Sequence, residues 1–391
     1  MQTPQFSLNP VQVLALAALG VAAGEWLRRR VPFLERLSIP GSIIGGLIYA
    51  VAILMLHGRV VNVQPDTVLR EVLMLAVFTI IGLHASVRFI VRGGVQVMLL
   101  LAAGALGAVV QNLAGMGVAK LFGVSPLIGI LAGAVSLAGG PATSLAFGPT
   151  FERAGVQGAT TIALASATFG ITISGLLAGT VGSMLIRRRG LKPAEQRAAA
   201  AEGVLGAGGS LMSHVIVIAV CMGVGSVFGI GIERAGVVLP GYIGAMTVAA
   251  VVRNVDDRWG VFRISEAALA QLFRVALPLF IVMAMLTLRL WELAALAGPV
   301  LGILAVQTAL TYGMSLGVFA LMRRDFDAAV IATGYCGFML GITANALATM
   351  DEVTRRFGPA PRAFLVVPMV GAFLIDFTNA LVITGVMNAV R

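Results

Sequence analysis

Residues 136–150 read SLAGGPATSLAFGPT, with three Gly, two Pro and no charge in fifteen positions. The stretch is too broken for an uninterrupted membrane helix, because Pro removes an amide and crowds the preceding turn. It is also too apolar for a loop in water. Non-helical backbone at membrane depth is tolerated only where protein buries it or where it lines a cavity. The segment therefore reads as a re-entrant hairpin that enters as a helix, breaks at Gly139-Gly140-Pro141 and returns. Such a break leaves carbonyls at the end of one half-helix, which suit a cation. It leaves amides at the start of the next, which suit a carboxylate.

The rest of the chain supplies the membrane setting. Of 391 residues, 59% are hydrophobic and 11% charged, and the mean hydropathy is +0.98. Soluble domains carry about 25% charged residues. The class is an all-α polytopic membrane protein. The first ten residues hold no Lys or Arg, so no cleaved signal peptide is expected. The formal charge of +10 is assigned to the cytoplasmic ends of spans, not to nucleic-acid binding. Cys221 and Cys336 lie in apolar stretches and read as inert buried thiols. No Walker motif and no haem, flavin or metal-ligand spacing is present, so the chain is not read as an enzyme and no organic cofactor is expected.

A crossing helix needs about 20 apolar residues. Apolar runs place spans near 9–27, 40–57, 68–87, 94–119 and 158–186. A second set lies near 211–232, 240–252, 270–290, 298–322 and 363–388. Each set leaves one broken segment, about 126–150 and 327–350. The two sets match in order: Pro40-Gly41 with Pro240-Gly241, Gln111 with Gln307, Gly140 with Gly341, and Phe169 with Phe373. A nearly constant offset of this kind marks an internal repeat. Residues 1–190 form the first repeat, 191–210 a cytoplasmic linker and 211–391 the second repeat. Five crossings per repeat make the two copies inverted. With both termini outside, all but seven of the 27 Lys and Arg fall inside, the seven being Arg59, Arg70, Lys120, Arg153, Arg234, Arg289 and Arg391. Two inverted copies of a broken segment are the plan of a secondary transporter.

The polar residues of the two breaks are the candidate site. In Gly139–Ser144, Gly140 and Ala142 permit close backbone approach, and Thr143 and Ser144 offer hydroxyls. The alternative is a Pro-kinked helix whose hydroxyls bond its own carbonyls. Thr343 and Asn345 are the polar tip of the second break. Asp376 lies deep in the last span, where a carboxylate is costly and marks function by default; it could ligate Na⁺, accept an ammonium or carry a proton, or else pair structurally with an Arg. Asn379 follows three residues on, on a similar face. Asp376, Ser136, Gly139 and Thr378 are the candidate Na⁺ ligands. Gln111, Asn112, Gln307 and Thr308 read equally as glue between helices. His84 reads as structural, and Glu25, Glu71 and Arg274 as span ends at the interface.

Several strings carry a family resemblance: LMLAVFTIIGLHAS, LAGGPATSLAFGPTFE, FDAAVIATGYCGFMLG, LRLWELAALAGP and RRFGPAPRAFLVVPMVGAFLIDFTNALVI. The most specific part runs from Phe357 to Ile383. The chain resembles the bacterial sodium/glutamate symporters from about residue 10 to its end. The resemblance implies Na⁺-coupled glutamate uptake across the inner membrane, two re-entrant hairpins, homodimers and an elevator-type motion. It implies a transport domain made of the third and fifth spans of each repeat with the hairpins, and a scaffold made of the first, second and fourth. The family usually reads Gly-Gly-His-Gly-Thr in the first hairpin and Gly-His-Cys-Gly in the second. Here Pro141 and Tyr335 stand at the two His positions, and Ala142 at the following Gly. The two lost imidazoles point to altered substrate selectivity. The alternatives left open are a Na⁺- or H⁺-coupled di- or hydroxycarboxylate carrier on the same fold, and a passive anion channel.

Overall fold

The structure is a computed structural model that describes residues 4–31, 40–57, 59–88, 94–193, 210–234, 241–288 and 296–390. Arg36, Arg92, Pro240, Arg289, Arg391 and most of the linker lie outside the described residues. These hold fifteen α-helices and one short parallel ribbon, β1 (Gln5–Leu8) against β2 (Asn62–Pro65). The protein is an all-α polytopic membrane protein.

The helices run in the following order. The first half gives α1 (Pro10–Arg30), α2 (Gly41–Leu56), α3 (Val68–His84), α4 (Gly94–Leu121), α5 (Pro126–Ile130), α6 (Gly140–Arg153) and α7 (Ala159–Arg189). The second gives α8 (Leu211–Arg234), α9 (Tyr242–Trp259), α10 (Glu266–Met285), α11 (Ala297–Leu321), α12 (Phe326–Leu340), α13 (Thr343–Phe357) and a last span split into α14 (Pro361–Met369) and α15 (Ile375–Val390). Local signals set the ends. Asn9 and Gln12 form a capping box before α1, with Pro10 at its first position. Gly260, at φ 63°, ends α9.

The seventh span expected at 240–252 continues as helix to Trp259. Its polar tail is folded inward: Arg253 is 4% exposed and pairs with Glu266 at 2.7 Å and Asp257 at 3.0 Å. The Asp256 carboxylate accepts the amides of Phe262, Arg263 and Ile264 at 2.6, 3.0 and 2.8 Å. A hydropathy reading stops at the first charge, but a paired charge continues the helix.

The helices sort into two bundles. α1, α2, α3, α8, α9 and α10 pack on one another, and α4–α7 with α11–α15 pack on one another. The first bundle is closed by small residues. A side chain at Gly24 would strike the backbone of Gly41 and Gly45, one at Gly244 would strike Gly225, and one at Gly82 would strike Met246. Long-range hydrogen bonds join helices inside each bundle. His214 accepts the Ser265 amide at 2.8 Å and Arg70 donates to Thr287 at 3.2 Å in the first. Gln111 donates to Thr311 at 3.0 Å and Tyr312 reaches Met184 in the second. The expected grouping is therefore corrected: the third spans, α3 and α10, belong with the first and second spans, and the fourth spans, α4 and α11, belong with the hairpins. Gly82 and the Gln111–Gln307 contact (2.6 Å from Gln307 Nε2 to the Gln111 carbonyl) set that partition.

Candidate functional site

Both broken segments are helical hairpins whose tips meet. In the first, α5 passes into a π-turn at Leu131–Val135, with Gly133 off the helical path at φ −104°, ψ −124°. The chain turns and enters α6 through Gly140, at φ +65°. In the second, α12 ends at Gly341 and α13 begins at Thr343. A side-chain carbon built on Gly140 would lie 3.2 Å from Ile342 Cγ2 of the opposite tip. A residue there must have no side chain and must tolerate a left-handed backbone.

A cavity of about 330 Å³ lies against the tips, at the seam between the bundles. The hairpin bundle contributes Ala138, Gly139, Pro141, Ala142, Thr143, Gly341, Ile342, Thr343, Ala344, Gly371 and Asp376. The other bundle contributes Val21, Glu25, Gly41, Ser42, Ile81, Phe273, Pro278 and Ile281. The volume falls at the lower end of the range for small-molecule sites, about 300–1,000 Å³.

The electrostatics of this cavity come from backbone as much as from side chains. Neither α6 nor α13 has a side-chain cap on its first amides. Both helices therefore present unpaired N–H groups and a positive dipole end to the same space. Across from them, Asp376 starts α15 directly after a π-turn at Val370–Leu374, and no hydrogen bond among the described residues holds its carboxylate. The Thr343 hydroxyl donates to the Gly371 carbonyl in that π-turn and ties the second tip to the last span. The lining includes two carboxylates, Glu25 and Asp376, and no basic side chain. Glu25 is half exposed and bonded to Arg28 at 3.0 Å.

Of the residues singled out in the sequence, Gly139, Ala142, Thr143, Thr343 and Asp376 line the cavity. Gly140 forms the tip itself. The others stand behind the wall. Ser144 Oγ donates to the Gly140 carbonyl at 2.8 Å and lies 3.2 Å from the Ala163 carbonyl and 3.4 Å from Ser136 Oγ. Ser136 donates to the Leu131 carbonyl. Asn345 Nδ2 donates to the Ile171 carbonyl at 2.6 Å and to Ser174 at 2.9 Å. Asn379 Nδ2 donates to the Ala134 carbonyl at 2.9 Å. Thr378 bonds only its own helix, at the Leu374 carbonyl. The Oδ1 atoms of Asn345 and Asn379 are buried without a partner.

These donors fit Na⁺, which takes unwound carbonyls and hydroxyls. Ser136, Ser144 and the carbonyls of Leu131, Gly140 and Ala163 gather oxygens in one place, and each buried Asn has a free oxygen. No group of three His, Cys, Asp or Glu for a softer metal occurs among the described residues.

Two side chains, Glu25 and Tyr335, differ from expectation. Glu25, read as a span end, lines the cavity; its spacing from Val21 on one helical face was the available signal. Pro141 lines the cavity as well. Tyr335 does not: it is 1% exposed, its hydroxyl donates to the Ala103 carbonyl at 3.1 Å, and it fills the space over Gly107. The exchange at Tyr335 thus leaves the cavity wall unaltered, whereas those at Pro141 and Ala142 change it. Gln111 and Gln307 join α4, α11 and α12 as glue, with Gln111 also donating to the Met339 carbonyl at 2.9 Å.

The family profile of the sodium/glutamate symporters matches residues 6–359. Among curated relatives, the sodium/glutamate symporters of Escherichia coli (strain K12) and Shigella flexneri are each 40% identical over 392 residues, covering 97% of both chains. That of Haemophilus influenzae (strain ATCC 51907 / DSM 11121 / KW20 / Rd) is 35% identical over 390 residues, covering 96% of both.

Proposed function

The chain belongs to the sodium/glutamate symporter family, and from that premise we propose that it carries glutamate into the cell together with Na⁺, using the cavity against the hairpin tips as its site. The observation that carries the site assignment is the meeting of two uncapped helix N-termini with Asp376 in one cavity at the bundle seam. The solute's carboxylates bind the amides of α6 and α13 with the hydroxyls of Thr143 and Thr343. Its ammonium faces Asp376. Na⁺ is the second cargo, held by Asp376 with Gly139 at the tip, and by the oxygens around Ser136 and Ser144 behind it. Thr378 is a weaker ligand candidate, because its hydroxyl is committed to Leu374. The free oxygens of Asn345 and Asn379 brace whichever ions enter. One charge crossing 100 mV supplies about 2.3 kcal/mol, enough for roughly 50-fold accumulation.

The wider arrangement is part of the same proposal. The halves 1–190 and 211–391 are inverted repeats, the linker is cytoplasmic and both termini face outward across a bacterial inner membrane. The hairpin bundle moves past the other bundle as an elevator, and the carrier works as a homodimer. The grouping of the helices into two bundles, each tied internally by hydrogen bonds, supports this motion.

Uptake into proteoliposomes tests the reading. Wild-type protein is expected to concentrate L-glutamate under an inward Na⁺ gradient and not when K⁺ replaces Na⁺. Asp376→Asn is expected to lose uptake at least about 100-fold, in keeping with a charge contact of about 3 kcal/mol. Normal uptake and Na⁺ dependence in that variant would sink the assignment. Succinate, which lacks the ammonium, should compete at least about tenfold more weakly than glutamate; equal competition would favour a dicarboxylate carrier.

A further inference from the structure

The cavity at the hairpin tips has one wall from the six-helix bundle. Its wall there includes Pro40, Gly41 and Ser42 at the start of α2. In the repeat, these residues correspond to Pro240, Gly241 and Tyr242 at the start of α9. Ser42 lines the cavity, but Tyr242 is fully buried outside it. Its ring stacks on Phe78 of α3, with centroids 3.8 Å apart. It also meets Phe147 of α6 edge-on, with centroids 5.7 Å apart and planes at 88°. Phe147 belongs to the hairpin bundle, so the three rings close the seam where the cavity does not reach.

A Phe would fill this place as well as a Tyr does. The hydroxyl of Tyr242 is buried and has no hydrogen-bond partner among the described residues. A buried hydroxyl left unpaired is destabilising and calls for a reason. Phe78, on which the ring stacks, stands one turn of α3 from Ile81 of the cavity wall, so Tyr242 lies directly behind that wall.

We propose that Tyr242 is the counterpart of Ser42 for the opposite face of the carrier: it seals the far side of the site here, and after the hairpin bundle shifts its hydroxyl lines the site and donates a hydrogen bond to the solute's carboxylate. The inference rests on the inverted-repeat, alternating-access reading given above. Exchanging the repeats moves the wall from Ser42 to Tyr242 and turns the aromatic seal into part of the binding surface. The two faces then recognise the same solute with different chemistry, a small hydroxyl on one and a phenol on the other.

Side-specific labelling tests this. In a background with Cys221→Ala and Cys336→Ala, Ser42→Cys and Tyr242→Cys are exposed to a membrane-impermeant thiol reagent in right-side-out and inside-out vesicles. Labelling from opposite sides is expected, and Na⁺ with glutamate should protect both. Labelling from the same side, or no labelling of Tyr242→Cys in protein that still transports, would overturn the proposal. Opposite sidedness without protection by glutamate upholds it and discards glutamate as the solute instead. Tyr242→Phe keeps the ring and its packing. It is expected to raise KM roughly ten- to 150-fold for solute presented on the Tyr242 side, the range of one lost hydrogen bond to a charged group. KM on the Ser42 side and kcat should be unchanged. An unchanged KM on the Tyr242 side, or equal shifts on both, would overturn the role of the hydroxyl.

Discussion

The two hairpins reach the same place by different means. The first arrives through irregular backbone: a π-turn, a non-helical Gly133 and a left-handed Gly140. Its hydroxyls, Ser136 and Ser144, bond carbonyls close to the tip. The second arrives on a regular 15-residue helix, α12, capped by the Asp325 carboxylate on the Ala328 amide at 2.8 Å. Its break is braced by neighbouring elements: Gln111 on Met339, Tyr335 on Ala103, and Asn345 on Ile171 and Ser174. One tip is shaped by its own conformation and the other by the bundle around it. A repeated device can keep its geometry while the burden of holding it moves from backbone to side chains.

This contrast can be broken most sharply at the glycines. Gly140→Val places a β-branched residue at φ +65° and should cost about 3 kcal/mol, seen as a lower melting temperature in detergent and lost uptake. Ile342→Ala should not rescue it, because the conformation remains. Gly341→Ala instead meets the Ser174 side chain, so Ser174→Gly should recover part of its loss. Equal rescue at the two tips would erase the distinction. The asparagines come next. Asn345→Ala gives up two hydrogen bonds and should lower stability by about 2–3 kcal/mol, against about 1–2 for Asn379→Ala with one. Calorimetric melting of the two variants checks the order. The smallest effect is expected at Tyr335→Phe, about 1 kcal/mol for one neutral hydrogen bond, with KM for glutamate unchanged because the ring is not in the cavity wall.

Most helices were legible because an apolar run and a break leave plain marks on a sequence. The spans read at 94–119 and 298–322 are Gly94–Leu121 and Ala297–Leu321. The first broken segment was visible from its Gly and Pro, and the second, which has no Pro, from its glycines and its match to the first. What pairs with what was not legible, because uniformly apolar faces carry no address. The partition depends on where two glycines face one another, as Gly24 and Gly45 do, and that is a long-range fact. At the site, Asp376 and Thr143 could be found because polarity at membrane depth is rare. Ser144 and Asn345 carry the same signal but turn it into the supporting layer. Glu25 was hidden by its nearness to Arg28–Arg30, which made it resemble an ordinary helix end. Tyr335 looked like a change in the site until its place against Gly107 was known.

The lengths of the helices have a consequence for the bilayer itself. The six helices of the first bundle run from 16 to 24 residues, about 24 to 36 Å at the α-helical rise, which suits a hydrocarbon layer about 30 Å thick. In the hairpin bundle α4, α7 and α11 have 28, 31 and 25 residues, so α7 alone is about 46 Å long. The first bundle matches the thickness of the layer and has little to spare. The second carries surplus apolar length, which a thinner or thicker layer would meet as tilt or mismatch. With such a reserve, a displacement of this body along the membrane normal would still leave lipid an apolar surface.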